Sequence, residues 1–385
     1  MNRMGLSNTF SSFAWPSSFV ARIYWATEGG SAYSVGFPSM PIRKELPRQT
    51  VQNLIPPRED YVYFEAPGEY PFQATSGRFE IINAGWLVDA SLLVYGNEEF
   101  IRERVAVLAA ELAGVDVRVF AGPSTQALVL TTAEFAIIAF RGTRIEVFPD
   151  PVALWQRRLG AIDAVVEPSG KLVFLNWRDV VSDINFGMGP DGVHRGFRQA
   201  LDQANLWEAI QSHLQTLSGR PIWFTGHSLG AALATIAAAR YATLSPVQGL
   251  YTFGSPRVGN AAFAQTVPGN AFRIVNNNDI VARLPPQFAG FVHVGDKRLI
   301  DGSGQFADDS REGDSLKEQF TRFIAALSRS APQQLIGDGK LQLPQFIARL
   351  RGLDVEVPDN ALNDHAPANY ACRIWNALEF KRAPI

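Results

Sequence analysis

Cysteine is nearly missing from this chain: Cys372 is the only one. A single thiol cannot close an internal disulfide, so stability has to come from an apolar core, and the composition fits a reducing compartment without requiring one. Net charge is scarce as well. The 35 Lys and Arg against 37 Asp and Glu leave a formal −2, which gives no electrostatic reason to expect nucleic acid or an anionic membrane surface as partner. No run of about 18 apolar residues occurs, so no membrane-spanning helix is expected. After Arg3, the stretch from Gly5 to Pro16 interrupts every apolar run with polar residues. It contains no h-region of a secretory signal, and a cytoplasmic location is favoured over secretion. Histidine is scarce too, with five in the chain, few enough that each can be assigned.

What the chain does have is apolar residues, 46% of 385, ample for one large α/β domain. Residues 1–57 carry many Ser, Gly and Pro and end at Pro56-Pro57; they are expected to be an irregular segment, with a single domain over 58–385. Helical spacing predicts helices over Asn83–Tyr95 and Glu98–Leu112, broken at Gly96-Asn97. Short β-rich runs at Val115–Phe120, Gln126–Thr131 and Phe135–Phe140 are separated by turn signals and predict adjacent antiparallel strands. Val152, Trp155, Leu159, Ile162 and Val166 recur at steps of three and four, the mark of one amphipathic helix. That helix is either packed on the core or part of a lid within about 144–190. A helix over Arg198–Leu217, strands at Gly249–Phe253 and Ala271–Val275 and a hairpin-like stretch at His293–Ile300 follow. The strand-helix-strand rhythm implies parallel strands with crossovers. A helical insert is expected at about 305–360, with helices over Leu316–Leu327 and Leu343–Leu350. A last helix from near Ala368 turns Ile374, Trp375 and Leu378 inward. Gly187-Met188-Gly189-Pro190-Asp191-Gly192 matches a nucleotide-binding fingerprint, but Pro190 blocks the helix that the fingerprint must open, and the segment reads as a loop.

The chemistry centres on Gly226-His227-Ser228-Leu229-Gly230. Ile222, Trp223 and Phe224 before it are strand-prone, and Ala231–Ala239 after it is rich in small helix formers. The backbone must therefore turn sharply at Ser228, lifting its hydroxyl clear and aiming the helix N-terminus at developing negative charge. Phe140-Arg141-Gly142-Thr143 ends a buried strand. Thr143 is a candidate oxyanion donor whose backbone N–H would act with that of Leu229, although taken alone it reads as a turn residue. Asp279 stands just past the strand Ala271–Val275, where the orienting carboxylate of a hydrolase would lie. Among the histidines, His227 is fixed beside the nucleophile with its side chain pointing elsewhere, and His213 sits on an amphipathic helix. His194 and His293 stand upstream of, or close after, the other members. The order nucleophile, acid, histidine selects His365.

Phe140–Thr143, Val193–Phe197, Gly226–Gly230, Tyr251–Asn260, Asn278–Val281 with Leu284-Pro285-Pro286, and Asp364-His365 with Asn369-Tyr370 resemble the ordered landmarks of the class 3 lipases, fungal triacylglycerol lipase-like α/β hydrolases. The resemblance spans roughly Asn83–Leu378. It implies an α/β-hydrolase fold, a central mostly parallel sheet flanked by helices with the helical insert before the histidine. It also implies Ser228 as nucleophile, His365 as general base then acid, Asp279 as its orienter, and Thr143 with Leu229 as oxyanion hole. Asp183 matches a residue that hydrogen-bonds the oxyanion hydroxyl, here that of Thr143. No metal or organic cofactor is implied, and the expected partner is an acyl-ester lipid, with a lipid–water interface as one setting. A lipid-type carboxylic ester hydrolase is therefore expected. Phospholipase A1, a broad esterase or acyltransferase, and a catalytically idle lipid-binding protein on the same fold stand as the alternatives.

Overall fold

The computed structural model describes residues 43–48, 56–142, 187–217, 219–279, 281–285, 287–307 and 363–380, with the backbone of 164–166 and 172–174. The chain divides into Met1–Met40 and Pro41–Ile385, and every described residue belongs to the second unit. The first helices among the described residues are α1 (Ile81–Leu93) and α2 (Glu98–Glu111). The side chain of Asn97 caps α2 by accepting the Phe100 N–H at 2.8 Å. Three strands follow, β1 (Asp116–Ala121), β2 (Gln126–Thr131) and β3 (Ala136–Phe140), paired antiparallel as the turn signals between them predict.

A short antiparallel pair, β4 (Ala164–Val166) with β5 (Leu172–Phe174), comes next. It corrects the end of the expected amphipathic helix over residues 152–166. Val165, Val166 and Val173 are β-branched and prefer a pleated backbone, and Pro168 and Gly170 between the strands are turn formers. The rest of that helix and the helices at Leu316–Leu327 and Leu343–Leu350 lie outside the described residues, as do the greater part of residues 1–57, of the lid region 144–190 and of the insert 305–360. The helix expected over Arg198–Leu217 is two helices, α3 (Arg195–Asp202) and α4 (Leu206–Gln215). Between them Ala204 and Asn205 adopt left-handed φ of 52° and 55°, a conformation that no α-helix carries forward.

The remaining elements are β6 (Ile222–His227), α5 (Leu229–Ala242), β7 (Gly249–Phe253), α6 (Ala261–Ala264), β8 (Ala271–Asn276), β9 (Asp296–Ile300), β10 (Phe306–Ala307) and α7 (Pro367–Phe380). The hairpin-like reading of His293–Ile300 is corrected. Asp296–Ile300 is one strand, parallel to β8 on one side and antiparallel to β10 on the other. One eight-stranded sheet results, in the order β1-β2-β3-β6-β7-β8-β9-β10, with β3, β6, β7, β8 and β9 mutually parallel.

Alternation along the strands sorts the two cores. Trp223, Tyr251, Phe253, Phe272 and Ile274 pack with α1 and α7 on one face. Ile222, Phe224 and Leu250 pack with α3, α4 and α5 on the other. All six residues of β6 are buried, as a central parallel strand requires. The run of alanines in α5 lets that helix lie close on the sheet, so its N-terminus meets the carboxyl ends of β3 and β6. α1 and α7 lie side by side on the opposite face. There the buried Asp89 of α1 accepts hydrogen bonds from Tyr61 (2.7 Å), the Phe64 N–H (2.7 Å) and the Trp375 indole (3.0 Å). Strand order, crossovers and the turn between β6 and α5 are those of the α/β-hydrolase fold. Among the described residues no helix is long and apolar enough to cross a membrane.

Candidate active site

The turn after β6 places Ser228 at φ 60°, ψ −128°, a region that non-glycine residues rarely enter. Two neighbours make this possible. A Cβ on Gly226 would overlap the Gly230 carbonyl, and one on Gly230 would overlap the carbonyl of Phe140. Only glycines at both positions let the first turn of α5 lie against the end of β3. Ser228 itself is pinned by its N–H to the Phe253 carbonyl at 3.0 Å, which leaves the hydroxyl free to face the loop before α7.

His365 reaches it from that loop. Its Nε2 lies 2.9 Å from Ser228 Oγ, and its Nδ1 lies 2.9 Å from Asp279 Oδ2. The three side chains thus converge although 137 residues separate serine from histidine and 86 separate acid from histidine. Asp279 is fully buried. Burial pushes its carboxyl up, but the adjacent His365 imidazole and the hydrogen bonds from His365 and Tyr370 outweigh that and hold it below the usual carboxylate range. An ionised carboxylate only accepts. Nδ1 of His365 therefore carries the proton, and Nε2 is left to accept from the serine hydroxyl.

The acid is held from both oxygens. Oδ2 also takes the Tyr370 hydroxyl at 2.7 Å, and Oδ1 takes the Val281 N–H at 2.9 Å. The loop carrying His365 is tethered by three successive carbonyls, each to a different side-chain donor. Asn363 accepts from Asn369 (2.7 Å), Asp364 from Asn276 (2.8 Å), and His365 from His227 (2.7 Å). Sequence reasoning missed Tyr370 as a support of the acid and set His227 aside as pointing elsewhere. The Asn369-Tyr370 landmark was in view, but only the folded chain brings a hydroxyl 91 residues away onto Asp279.

Leu229 opens α5, and its N–H belongs to the first turn, where helix donors have no intrahelical partner. Thr143 and Asp183 lie outside the described residues. The described chain reaches Gly142. Arg141 is fixed there by its N–H to the Gln126 carbonyl at 2.8 Å. Among the described residues no group of three or more His, Cys, Asp or Glu is arranged to hold a metal ion. The arrangement can accept a proton from a hydroxyl, hold the resulting imidazolium against a buried carboxylate, and present helix N–H groups to an oxyanion.

The family described as "Lipase (class 3)" matches residues 138–289. A protein named secreted mono- and diacylglycerol lipase 1, from Fusarium solani, is 36% identical over 151 residues, covering 36% of this chain and 44% of that protein. Secreted mono- and diacylglycerol lipase A from Penicillium cyclopium is 39% identical over 176 residues, covering 39% and 57%. The chain thus spans about half the length of these curated relatives. A solved structure, lipase II from Rhizopus niveus, superposes with a TM-score of 0.42 at 23% identity over 58% of this chain and 81% of that one. The names of the two relatives correct one expectation. Both proteins are described as secreted, so the leaning towards the cytoplasm, drawn from a missing h-region, does not stand.

Proposed function

We propose that this chain, which matches the family described as "Lipase (class 3)" through residues 138–289, is a serine hydrolase that cleaves the carboxylic esters of acylglycerols. One observation carries the reading. Ser228 Oγ, His365 and Asp279 form a continuous hydrogen-bonded line with both links at 2.9 Å. Ser228 attacks the ester carbonyl while His365 Nε2 takes its proton. Asp279 holds the imidazole in the Nδ1–H tautomer and stabilises the imidazolium. The protonated His365 then donates to the leaving alcohol. Water, deprotonated by the same nitrogen, releases the fatty acid from the acyl-serine.

The Leu229 N–H and that of Thr143 are assigned to the tetrahedral oxyanion, with Asp183 as partner of the Thr143 hydroxyl. Loss of one such donor lowers turnover by about 10²–10³. Mono- and diacylglycerols are the first substrates to try, since the two secreted relatives carry those names. The test is hydrolysis of a mono-, di- and triacylglycerol series, with phospholipids alongside, by the wild-type chain and Ser228→Ala. The proposal expects release of fatty acid from acylglycerols by the wild type and a loss of about 10⁶ in the variant. Equal hydrolysis by Ser228→Ala would overturn it.

A further inference from the structure

His227, the residue immediately before the nucleophile, is completely buried in the core side of the site. Its Nδ1 lies 3.1 Å from the Tyr95 hydroxyl, its Nε2 2.7 Å from the carbonyl oxygen of His365, and its ring 4.6 Å from that of His365, tilted by 35°. Those partners decide its proton. A carbonyl only accepts, so Nε2 carries the hydrogen; Nδ1 is then bare and accepts a hydrogen bond from the Tyr95 hydroxyl. Burial, reinforced by the neighbouring His365, depresses the His227 pKa to about 3, so the ring stays neutral and keeps one donor and one acceptor. The Tyr95 oxygen in turn accepts the backbone N–H of Gly142. The hydrogen bonds run in one direction: Gly142 N–H to Tyr95, Tyr95 O–H to His227, His227 N–H to the backbone of His365.

We infer that His227 is a positioning residue that sets the separation between nucleophile and base, coupling both to the strand end that leads into Thr143. The inference rests on the reading of Ser228, His365 and Asp279 given above. Of the three tethers on the His365 loop, Asn369 comes from α7 and Asn276 from β8. Only His227 belongs to β6, the strand that ends at Ser228. Its bond therefore fixes the base relative to the nucleophile, whereas the others fix it relative to α7 and to β8. The adjacent tilted ring restrains the plane in which the His365 imidazole turns.

The experiment measures kcat and KM on a dissolved p-nitrophenyl ester, per folded molecule by near-UV circular dichroism, for His227→Leu, His227→Gln, Tyr95→Phe and Ser228→Ala. His227→Leu keeps the volume and removes both polar contacts. It is expected to lower kcat about 10²-fold, the effect of misplacing a reacting group by a fraction of an ångström, with KM within about twofold. His227→Gln retains an N–H for the carbonyl and is expected to recover to within about tenfold of wild type, and Tyr95→Phe to lose about tenfold. A His227→Leu protein that melts lower yet keeps wild-type kcat per folded molecule overturns the inference. If that variant does not fold, an unchanged kcat in Tyr95→Phe overturns it instead. Loss of activity in Ser228→Ala alongside unaffected His227 variants sinks only the positioning role, whereas an active Ser228→Ala sinks the hydrolase reading and this inference with it.

Discussion

Gly254, the residue after β7, has φ of +58° and sits against Asp279 and His365. A Cβ built there would lie 2.6 Å from Asp279 Oδ2 and 3.0 Å from His365 Nδ1. Cβ atoms do not approach neighbours closer than about 3.0 Å, so Gly254→Ala must displace the carboxylate by at least 3.0 − 2.6, about 0.4 Å. Asp279 has little freedom to yield. Its oxygens are held at 2.9 Å by the Val281 N–H and at 2.7 Å by Tyr370. The shift therefore falls on the 2.9 Å bond to His365, and a misplacement of that order costs turnover about tenfold to 10²-fold. The left-handed backbone adds about 1–2 kcal/mol of strain for alanine, a melting shift of at most about 5 °C for a chain of this size. Gly219→Ala separates the two effects. Gly219 has φ of +85° with no heavy atom within 4 Å of a built Cβ, so it should lose similar stability and keep full turnover. The assay is kcat on a soluble ester together with thermal melting of both variants. Wild-type kcat in Gly254→Ala, or an equal loss in Gly219→Ala, would refute the reasoning.

Asp279→Asn presents an amide where His365 needs an acceptor and favours the wrong tautomer. It should lower kcat by about 10⁴ with little change in melting temperature, read by steady-state kinetics. Asn276→Ala removes the buried donor to the Asp364 carbonyl and the acceptor of Arg373, at 2.8 and 2.9 Å. Its cost should be about 2–4 kcal/mol in chemical denaturation. Burial is the main cause that depresses His194 to about 4, His227 to about 3 and His293 to about 2. Below about pH 6.5 the unfolded chain binds protons that the folded chain refuses, so stability is full above that pH and falls as acid is added. The slope approaches about 1.4 kcal/mol per pH unit for each such histidine, and Asp279, held below the usual carboxylate range, adds in the same direction in stronger acid. Urea unfolding from pH 7 to pH 4.5 checks this, and a flat profile would contradict it.

The parts of the fold legible in the sequence were those where one local rule dominates. Strand Ile222–Phe224 before a Gly-flanked serine and a run of alanines after it leaves the backbone almost no choice. The three antiparallel strands from Asp116 to Phe140 likewise follow from β-rich runs cut by turn residues. Reading failed where tertiary context chose between local options. Ala164–Val166 fits helix spacing and strand propensity equally well, and a partner strand decided it. Asn205 tolerates the left-handed region, but Ala204 beside it is a good helix former, so the pair at Ala204-Asn205 does not stand out within residues 198–217. In the site, chain order led to Asp279 and His365, which the fold brings within hydrogen-bonding distance of each other and of Ser228. Tyr370 and His227 were illegible as supports because their partners come from distant strands and a loop, and a hydroxyl or a neutral imidazole carries no motif of its own.

The lone thiol on α7 also makes the protein its own clock. Cys372 is buried, its Sγ donating to the Glu45 carbonyl at 3.4 Å, and burial raises its pKa to about 12. At pH 8 only about one molecule in 10⁴ carries the nucleophilic thiolate, and none of it meets a reagent while the helix is seated. Disulfide-exchange colour development in native solution would then count the openings of the helix that begins two residues after His365. A routine spectrophotometer could thereby time how often His365 leaves its post.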